Sequence, residues 1–221
     1  MRSHNNNTFK SLNAHLPCSQ ACENNKQAIL EVLEKELAGR LHVLEVGSGT
    51  GQHSIYFAAR LAHLQWQTSD VLANHEGIKA WHHAYPADNV IAPIVFDLLS
   101  DASPFDKATS IDDKRYDAVF TANTLHIIAW SLVEKLFALV GESLPEDGKF
   151  VVYGPFNENG SYTSEGNRQF DMMLRQSDAK MGIRDREDVI VLAKKNKLTL
   201  SQIYSMPANN QLLAFVKTVA D

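Results

Sequence analysis

The amino-acid sequence predicts an α/β fold: a doubly wound, mostly parallel seven-stranded sheet finished by a C-terminal antiparallel hairpin. Two observations carry the prediction. Short apolar runs alternate with amphipathic helical stretches along most of the chain, the pattern of a parallel sheet with helices on its faces. At the end, LTLSQIYSM (Leu198–Met206) and QLLAFVKTV (Gln211–Val219) are joined only by PANN, Pro207–Asn210. Parallel strands need a crossover of about a dozen residues, so a link this short forces an antiparallel pair.

The elements follow in order. Ile29, Val32, Leu33 and Leu37 mark an amphipathic helix that Gly39 ends. Leu41–Val46 is almost continuously apolar, as in a strand covered on both faces. A helix over Gln52–Ala62 leads to a strand at Leu64–Thr68, then a helix over Ala73–His83 and a strand at Val90–Phe96. After a polar loop, Leu98–Arg115, the next strand is Tyr116–Thr121. Leu132, Val133, Leu136, Phe137 and Val140 give a helix that stops at Gly141, and the turn LPEDG opens a fifth strand, Lys149–Tyr153. Helices over Gly166–Ser177 and Arg186–Lys195 precede the hairpin. The sequence has no internal repeat. We read one domain over 24–221, preceded by a polar segment, 1–23, whose composition predicts partial mobility.

Composition narrows the function. A chain of 221 residues, 44% hydrophobic, suits one sizeable domain. No apolar run approaches the roughly 18 residues of a membrane span, and MRSHNNNTFK lacks the apolar core of a signal peptide, so the expected compartment is the cytoplasm. With 21 basic and 26 acidic residues the net charge is −5, which disfavours duplex nucleic acid as a partner. Lys194, Lys195 and Lys197 form the densest basic cluster and read as a solvated helix end. Cys18 and Cys22 are too few for a metal cluster, and the nine histidines show no ligand spacing; free thiols and no metal are expected. Nothing in the sequence marks an oligomeric state.

The first strand runs into Glu45-x-Gly47-x-Gly49-x-Gly51. In open α/β sheets ligands sit beyond the carboxyl ends of the strands, and glycines there let them approach the backbone. The third glycine comes one residue earlier than in the dinucleotide fingerprint, and the lysine of a phosphate-binding loop is missing. The pattern resembles the first motif of class I methyltransferases that use S-adenosylmethionine (SAM). On this reading Glu45, Gly47, Ser48, Gly49, Thr50, Gly51 and His53 surround the donor. Asp70, which lies 21 residues past Gly49, accepts hydrogen bonds from its ribose, and Asp97 reads its adenine. Each acid alone is equally a turn or cap residue. Three features in register with three strand ends are harder to dismiss.

Further stretches resemble one family of SAM-methyltransferase-like proteins, domain of unknown function 938. They are VLEVGSGTGQH (Val43–His53), LQWQTSD (Leu64–Asp70), FTANTLHIIAW (Phe120–Trp130), VYGPFN (Val152–Asn157), GIRD (Gly182–Asp185) and MPANN (Met206–Asn210). The resemblance implies a SAM-dependent methyltransferase fold, with SAM as cofactor and S-adenosylhomocysteine as its product. It also implies that Pro17–Asn25 helps close the site.

Methyl transfer from a sulfonium is an in-line displacement that demands alignment and exclusion of water. A base is needed only when the acceptor carries a proton. Asn123 and His126, just past the fourth strand, should border the methyl group. The two prolines that follow such an asparagine in adenine and glutamine methyltransferases are replaced by Thr124-Leu125, which disfavours that substrate class. His126 is either a base, with an ordinary pKa near 6.5, or a helix cap or backbone contact. His53, at a helix N-terminus, is expected to be neutral. Tyr153, Phe156 and Asn157 are expected to wall the acceptor pocket, with Tyr153 and Asn157 orienting the acceptor. Arg175 and Arg184 belong to a helical insert that can serve as a lid, or Arg184-Asp185 is a surface ion pair.

The favoured reading is a methyltransferase acting on a small molecule. The alternatives are a non-catalytic SAM-binding protein, either sensor or partner subunit, and a protein or RNA methyltransferase. A nicotinamide dehydrogenase is opposed by the glycine spacing and the terminal hairpin.

Overall fold

Strand β1 (His42–Val46) has no solvent face, since Val43, Leu44, Glu45 and Val46 are all buried. This is what an unbroken apolar run dictates once helices cover both sides of a sheet. The computed structural model describes residues 16–101, 103–105 and 115–218. Five further long strands share the sheet with β1 and β2 (Gln65–Asp70): β3 (Val90–Val95), β4 (Ala118–Ala122), β5 (Lys149–Asn157), β7 (Leu198–Met206) and β8 (Asn210–Lys217). A two-residue strand, β6 (Arg184–Asp185), pairs with the end of β5. The order is β3-β2-β1-β4-β5-β8-β7, with β8 antiparallel to both its neighbours and the other long pairings parallel. Strand order reverses between β1 and β4, so their carboxyl ends diverge into a crevice.

Side-chain alternation along the strands divides the core in two. On one face α1 (Gln20–Glu36) and α2 (Gln52–Ala58) pack against Val43, Trp66, Phe120, Val151 and Leu212. On the other, α4 (Trp130–Ser143) and α6 (Arg186–Lys195) cover Leu44, Val119, Phe150, Val152 and Phe215. Each face centres on aromatic rings. Phe57, Trp66 and Phe120 have centroids 5.7–5.8 Å apart, and Phe137 meets Phe150 edge-on at 5.0 Å. The remaining helices are α3 (His75–Ala84), beside β3, and α5 (Glu165–Ser177), between β5 and β6. No helix among the described residues is long and apolar enough to cross a membrane.

The α/β sheet with its antiparallel hairpin is the one the sequence predicts. Three boundaries differ by more than two residues. Helix α2 stops at Ala58 instead of Ala62. Strand β5 does not end at Tyr153 but continues to Asn157, because β8 pairs with Pro155 on one side and β6 with Phe156 on the other. Helix α1 begins at Gln20, where the Ser19 hydroxyl accepts from the Cys22 N–H, so it runs across the expected 23/24 boundary. Most of the loop 98–115, the tract Asn5–Asn7 and Val219 lie outside the described residues.

Helices α4 and α6 meet where Gly141 faces the end of α6. A Cβ at Gly141 would lie 2.2 Å from the Asn196 carbonyl oxygen, so the contact requires glycine. Gly141→Ala should destabilise the protein by about 1–3 kcal/mol through overpacking. Urea denaturation checks this, and an unchanged midpoint would refute the close approach.

Candidate functional site

The three glycines after β1 all have positive φ: Gly47 at 75°, Gly49 at 58° and Gly51 at 88°. They serve different ends. A Cβ at Gly47 would come 2.9 Å from the Thr124 hydroxyl, so this glycine lets the loop after β4 approach. Gly49 would meet nothing within 4 Å, because it faces open space. A Cβ at Gly51 would lie 2.9 Å from the Ile78 Cα, so its role is the packing of α2 on α3. The loop is anchored by two N–H groups, those of Gly47 and Ser48, which both donate to the Ser69 carbonyl at 3.0 Å.

Beyond these strand ends lies a cavity of about 830 Å³. Ten of the residues singled out in the sequence line it: Gly47, Ser48, Gly49, Thr50, His53, Asp70, Asp97, Asn123, His126 and Tyr153. Asp70 is held at its floor, its carboxylate accepting from the N–H of Gly49 at 2.6 Å, the N–H of Val71 at 2.7 Å and the amide of Asn74 at 2.8 Å. Asn123 takes a left-handed backbone, φ 59°, at the end of β4, a conformation asparagine tolerates better than most residues. Thr121 closes the neighbouring strand ends, its hydroxyl donating to the Val46 carbonyl at 2.8 Å and lying 2.7 Å from the Thr124 hydroxyl.

Six expected residues are placed elsewhere. Glu45 lies beneath the loop, accepting from the Trp66 indole and the Ser48 hydroxyl at 3.0 Å. Gly51 packs helices, as above. Phe156 is turned into the core because β5 stays extended, and period-two alternation puts it on the face opposite Tyr153 and Pro155. Asn157 is also off the cavity, its Oδ1 buried without a hydrogen-bond partner among the described residues. Arg175 pairs with Asp171 at 2.7 Å, and that carboxylate also accepts from the Tyr162 hydroxyl and the Ile183 N–H. Arg184 is neither lid nor surface ion pair. Its guanidinium donates to the carbonyls of Leu125, Ile128 and Lys180, gripping the loop that carries His126, while Asp185 caps α6.

Other residues enter that the chemistry of the motifs did not single out. From α1 come Ser19, Cys22 and Asn25; from α5 come Asn167 and Phe170; from the β7–β8 turn come Pro207, Ala208 and Asn210. The side chain of Gln52 ties the first group to the glycine loop, its Oε1 accepting from the Ser19 N–H and the Thr50 hydroxyl, its amide donating to Glu23. The turn had a local signal: Ala208 and Asn209 are successive non-glycine residues with φ 58° and 55°, and PANN was conspicuous in the sequence.

Both cavity histidines are neutral. Burial pushes His53 down to about 4, and its Nε2 lies 2.8 Å from the Asn25 side-chain oxygen. His126 is 5% exposed and is also held down to about 4, by burial first and by the nearby Arg184 guanidinium second. It neither caps a helix nor bonds a backbone carbonyl through its ring. Neither ring nitrogen has a partner among the described residues, and the ring meets Phe170 edge-on at 5.3 Å. Burial likewise raises Cys22 and Tyr153 above their ordinary values, so both keep their protons.

Comparison with known proteins fits this geometry. The family described as "Protein of unknown function (DUF938)" matches residues 16–217, nearly the whole chain. The chain belongs to this family. Among solved structures, an O-methyltransferase family 2 protein from Planctomyces limnophilus, in complex with apigenin, superposes with a TM-score of 0.76 at 15% identity, over 98% of this chain and 62% of that one. An O-methyltransferase family protein from Burkholderia thailandensis gives 0.75 at 14%, over 89% and 57%. Human N-acetylserotonin methyltransferase in complex with SAM gives 0.67 at 14%, over 88% and 55%. At such identities the likeness establishes the fold, that of class I methyltransferases, and this family member spans 55–62% of the length of those three chains.

Glu45 supplies a test of the loop's foundation. Burial pushes its carboxyl up to about 7, against the hydrogen bonds from Trp66 and Ser48. The folded state therefore binds this proton more tightly than the unfolded one. The stabilisation is complete below the ordinary value of 4.5 and is lost as pH rises through about 7. Glu45→Gln, which cannot ionise, should gain on wild type by about 3 kcal/mol between about pH 4 and pH 8. Urea titrations at the two pH values measure this, and parallel pH responses would refute it.

Proposed function

We propose that this protein transfers a methyl group from SAM to a small-molecule acceptor. The observation that carries the reading is a neutral, deeply buried His126 with unpartnered ring nitrogens, facing the same cavity as Gly49 and Asp70. The residues present fit SAM. Gly49 leaves its part of the wall open, Asp70 and Asp97 set carboxylates at two successive strand ends, and the loop offers no cation for a pyrophosphate. When bound, SAM supplies an electrophilic methyl on a sulfonium and leaves as a neutral thioether.

The residues divide by role. Gly47, Ser48, Gly49 and Thr50 would hold the methionine end, with His53 as a neutral neighbour; Asp70 would take the ribose and Asp97 the adenine. Asn123, fixed in its left-handed conformation, would border the transfer point. Ser19, Cys22 and Asn25 of α1 would cover the donor, so that residues 16–25 act with the domain as a closing segment. His126 would accept the acceptor's proton at a ring nitrogen as transfer proceeds. Its low basicity favours a concerted role over prior deprotonation of a free alcohol. Tyr153 would orient the acceptor.

The same low basicity also supports a second reading, a SAM-binding sensor without turnover, and one assay separates the two. Calorimetry should register binding of SAM and S-adenosylhomocysteine, weakened about tenfold or more by Asp70→Asn through loss of charged hydrogen bonds. Incubation with labelled SAM and a metabolite extract should give a labelled small product. His126→Ala should lower kcat by about 10²–10⁴-fold, and wild-type kcat should stay level down to about pH 5 before falling as the ring protonates. Absence of any heat with either ligand would end both readings. Binding with no transfer to any acceptor class would leave the sensor.

A further inference from the structure

We propose that the acceptor is an uncharged aromatic alcohol, bound between α5 and the turn that joins β7 to β8. This rests on the methyl-transfer reading above and names its substrate class. Among the described residues lining the cavity, Asp70 and Asp97 alone carry a formal charge, and both stand at the ends of β2 and β3. From β4 outward the wall includes His126, Tyr153, Pro155, Phe170, Pro207, Ala208 and Asn210, with no lysine, arginine or carboxylate. The sheet order puts this wall on the far side of β4 from those two acids, since Asn210 of β8 pairs with Pro155 of β5.

The charged side chains of the elements behind the wall are engaged with protein partners. On α5, Arg175 pairs with Asp171 and Arg168 with Glu165. On β6, Arg184 serves three carbonyls and Asp185 caps α6. At the end of β5, Glu158 pairs with Arg186. A carboxylate, phosphate or ammonium group entering here would lose hydration and meet no charged side chain on the wall itself, the Arg184 guanidinium lying behind it in the grip of three carbonyls. Amides offer neutral hydrogen bonding instead: Asn167, which also donates to the Asn209 carbonyl at 3.3 Å, and Asn210. Pro155, Phe170 and Pro207 offer flat apolar faces. Because Phe170 touches His126 edge-on, a ring lying on Phe170 lies beside the proton acceptor.

The turn is held in a costly shape. Ala208 and Asn209 are two consecutive left-handed residues that are not glycine, and such strain gathers at ligand clamps. Transfer would form the bond from the acceptor oxygen to the methyl carbon as the carbon–sulfur bond breaks with its pair left on sulfur. The hydroxyl proton would pass to His126.

The test uses the full chain saturated with S-adenosylhomocysteine and three matched probes: 2-naphthol, 6-hydroxy-2-naphthoate and the cationic 6-aminomethyl-2-naphthol. Calorimetry should show 2-naphthol binding about tenfold more tightly than either charged analogue. Ala208→Asp, a residue type suited to the left-handed backbone, should move the ratio toward the cationic probe by about tenfold. Equal or tighter binding of a charged analogue by wild type, binding of none of the three, or an unmoved ratio in Ala208→Asp overturns the proposal. Failure of S-adenosylhomocysteine itself to bind sinks the methyl-transfer reading instead.

Discussion

The crevice depends on the seam between the end of β1 and the end of β2. The Ser69 carbonyl receives two N–H groups from the glycine loop, while the Ser69 hydroxyl donates back to the Glu45 carbonyl at 2.6 Å. Below that seam the Glu45 carboxyl binds Ser48 and Trp66; above it Asp70 binds Gly49. The loop is thus fixed from both sides by groups on β1 and β2. Its open face is left to the cavity, an arrangement that pre-organises a binding surface before any ligand arrives. Glu45, just ahead of the glycines, supports the loop from beneath.

Much of this architecture was legible because it follows from local pattern. Apolar runs between amphipathic helices gave the parallel strands, and the four-residue PANN link gave the hairpin. The glycine loop, Asp70, Asp97, Asn123 and His126 reached the cavity because each stands at or just past a strand end, and a parallel sheet directs all such ends to one side. What failed depended on non-local pairing. Phe156 and Asn157 read as loop residues until β6 and β8 gave β5 two partners that keep it extended. Arg184 has the same residue type whether it faces a ligand or a row of carbonyls, and only the packing of β6 against the loop after β4 decides. For α5 the helix was evident, but the face presenting Asn167 and Phe170 is set by how it docks.

The two halves of the sheet differ in kind. On the β1–β2–β3 side the cavity wall carries the glycine loop and the carboxylates of Asp70 and Asp97. On the β5–β8 side it is amide, proline and phenylalanine, without formal charge. His126 sits where the two meet, on a loop gripped by Arg184 and by the Gly182 N–H, which donates to the His126 carbonyl at 2.9 Å. Holding the backbone on both sides of an unbonded ring fixes the imidazole in place while keeping its nitrogens available.

The side chain of Gln52 joins the start of α1 to the glycine loop through Ser19, Thr50 and Glu23, and the Trp81 indole holds the Pro17 carbonyl at 2.7 Å. The start of α1 and the glycine loop, which both line the crevice, are therefore mechanically linked. Whatever steadies one steadies the other.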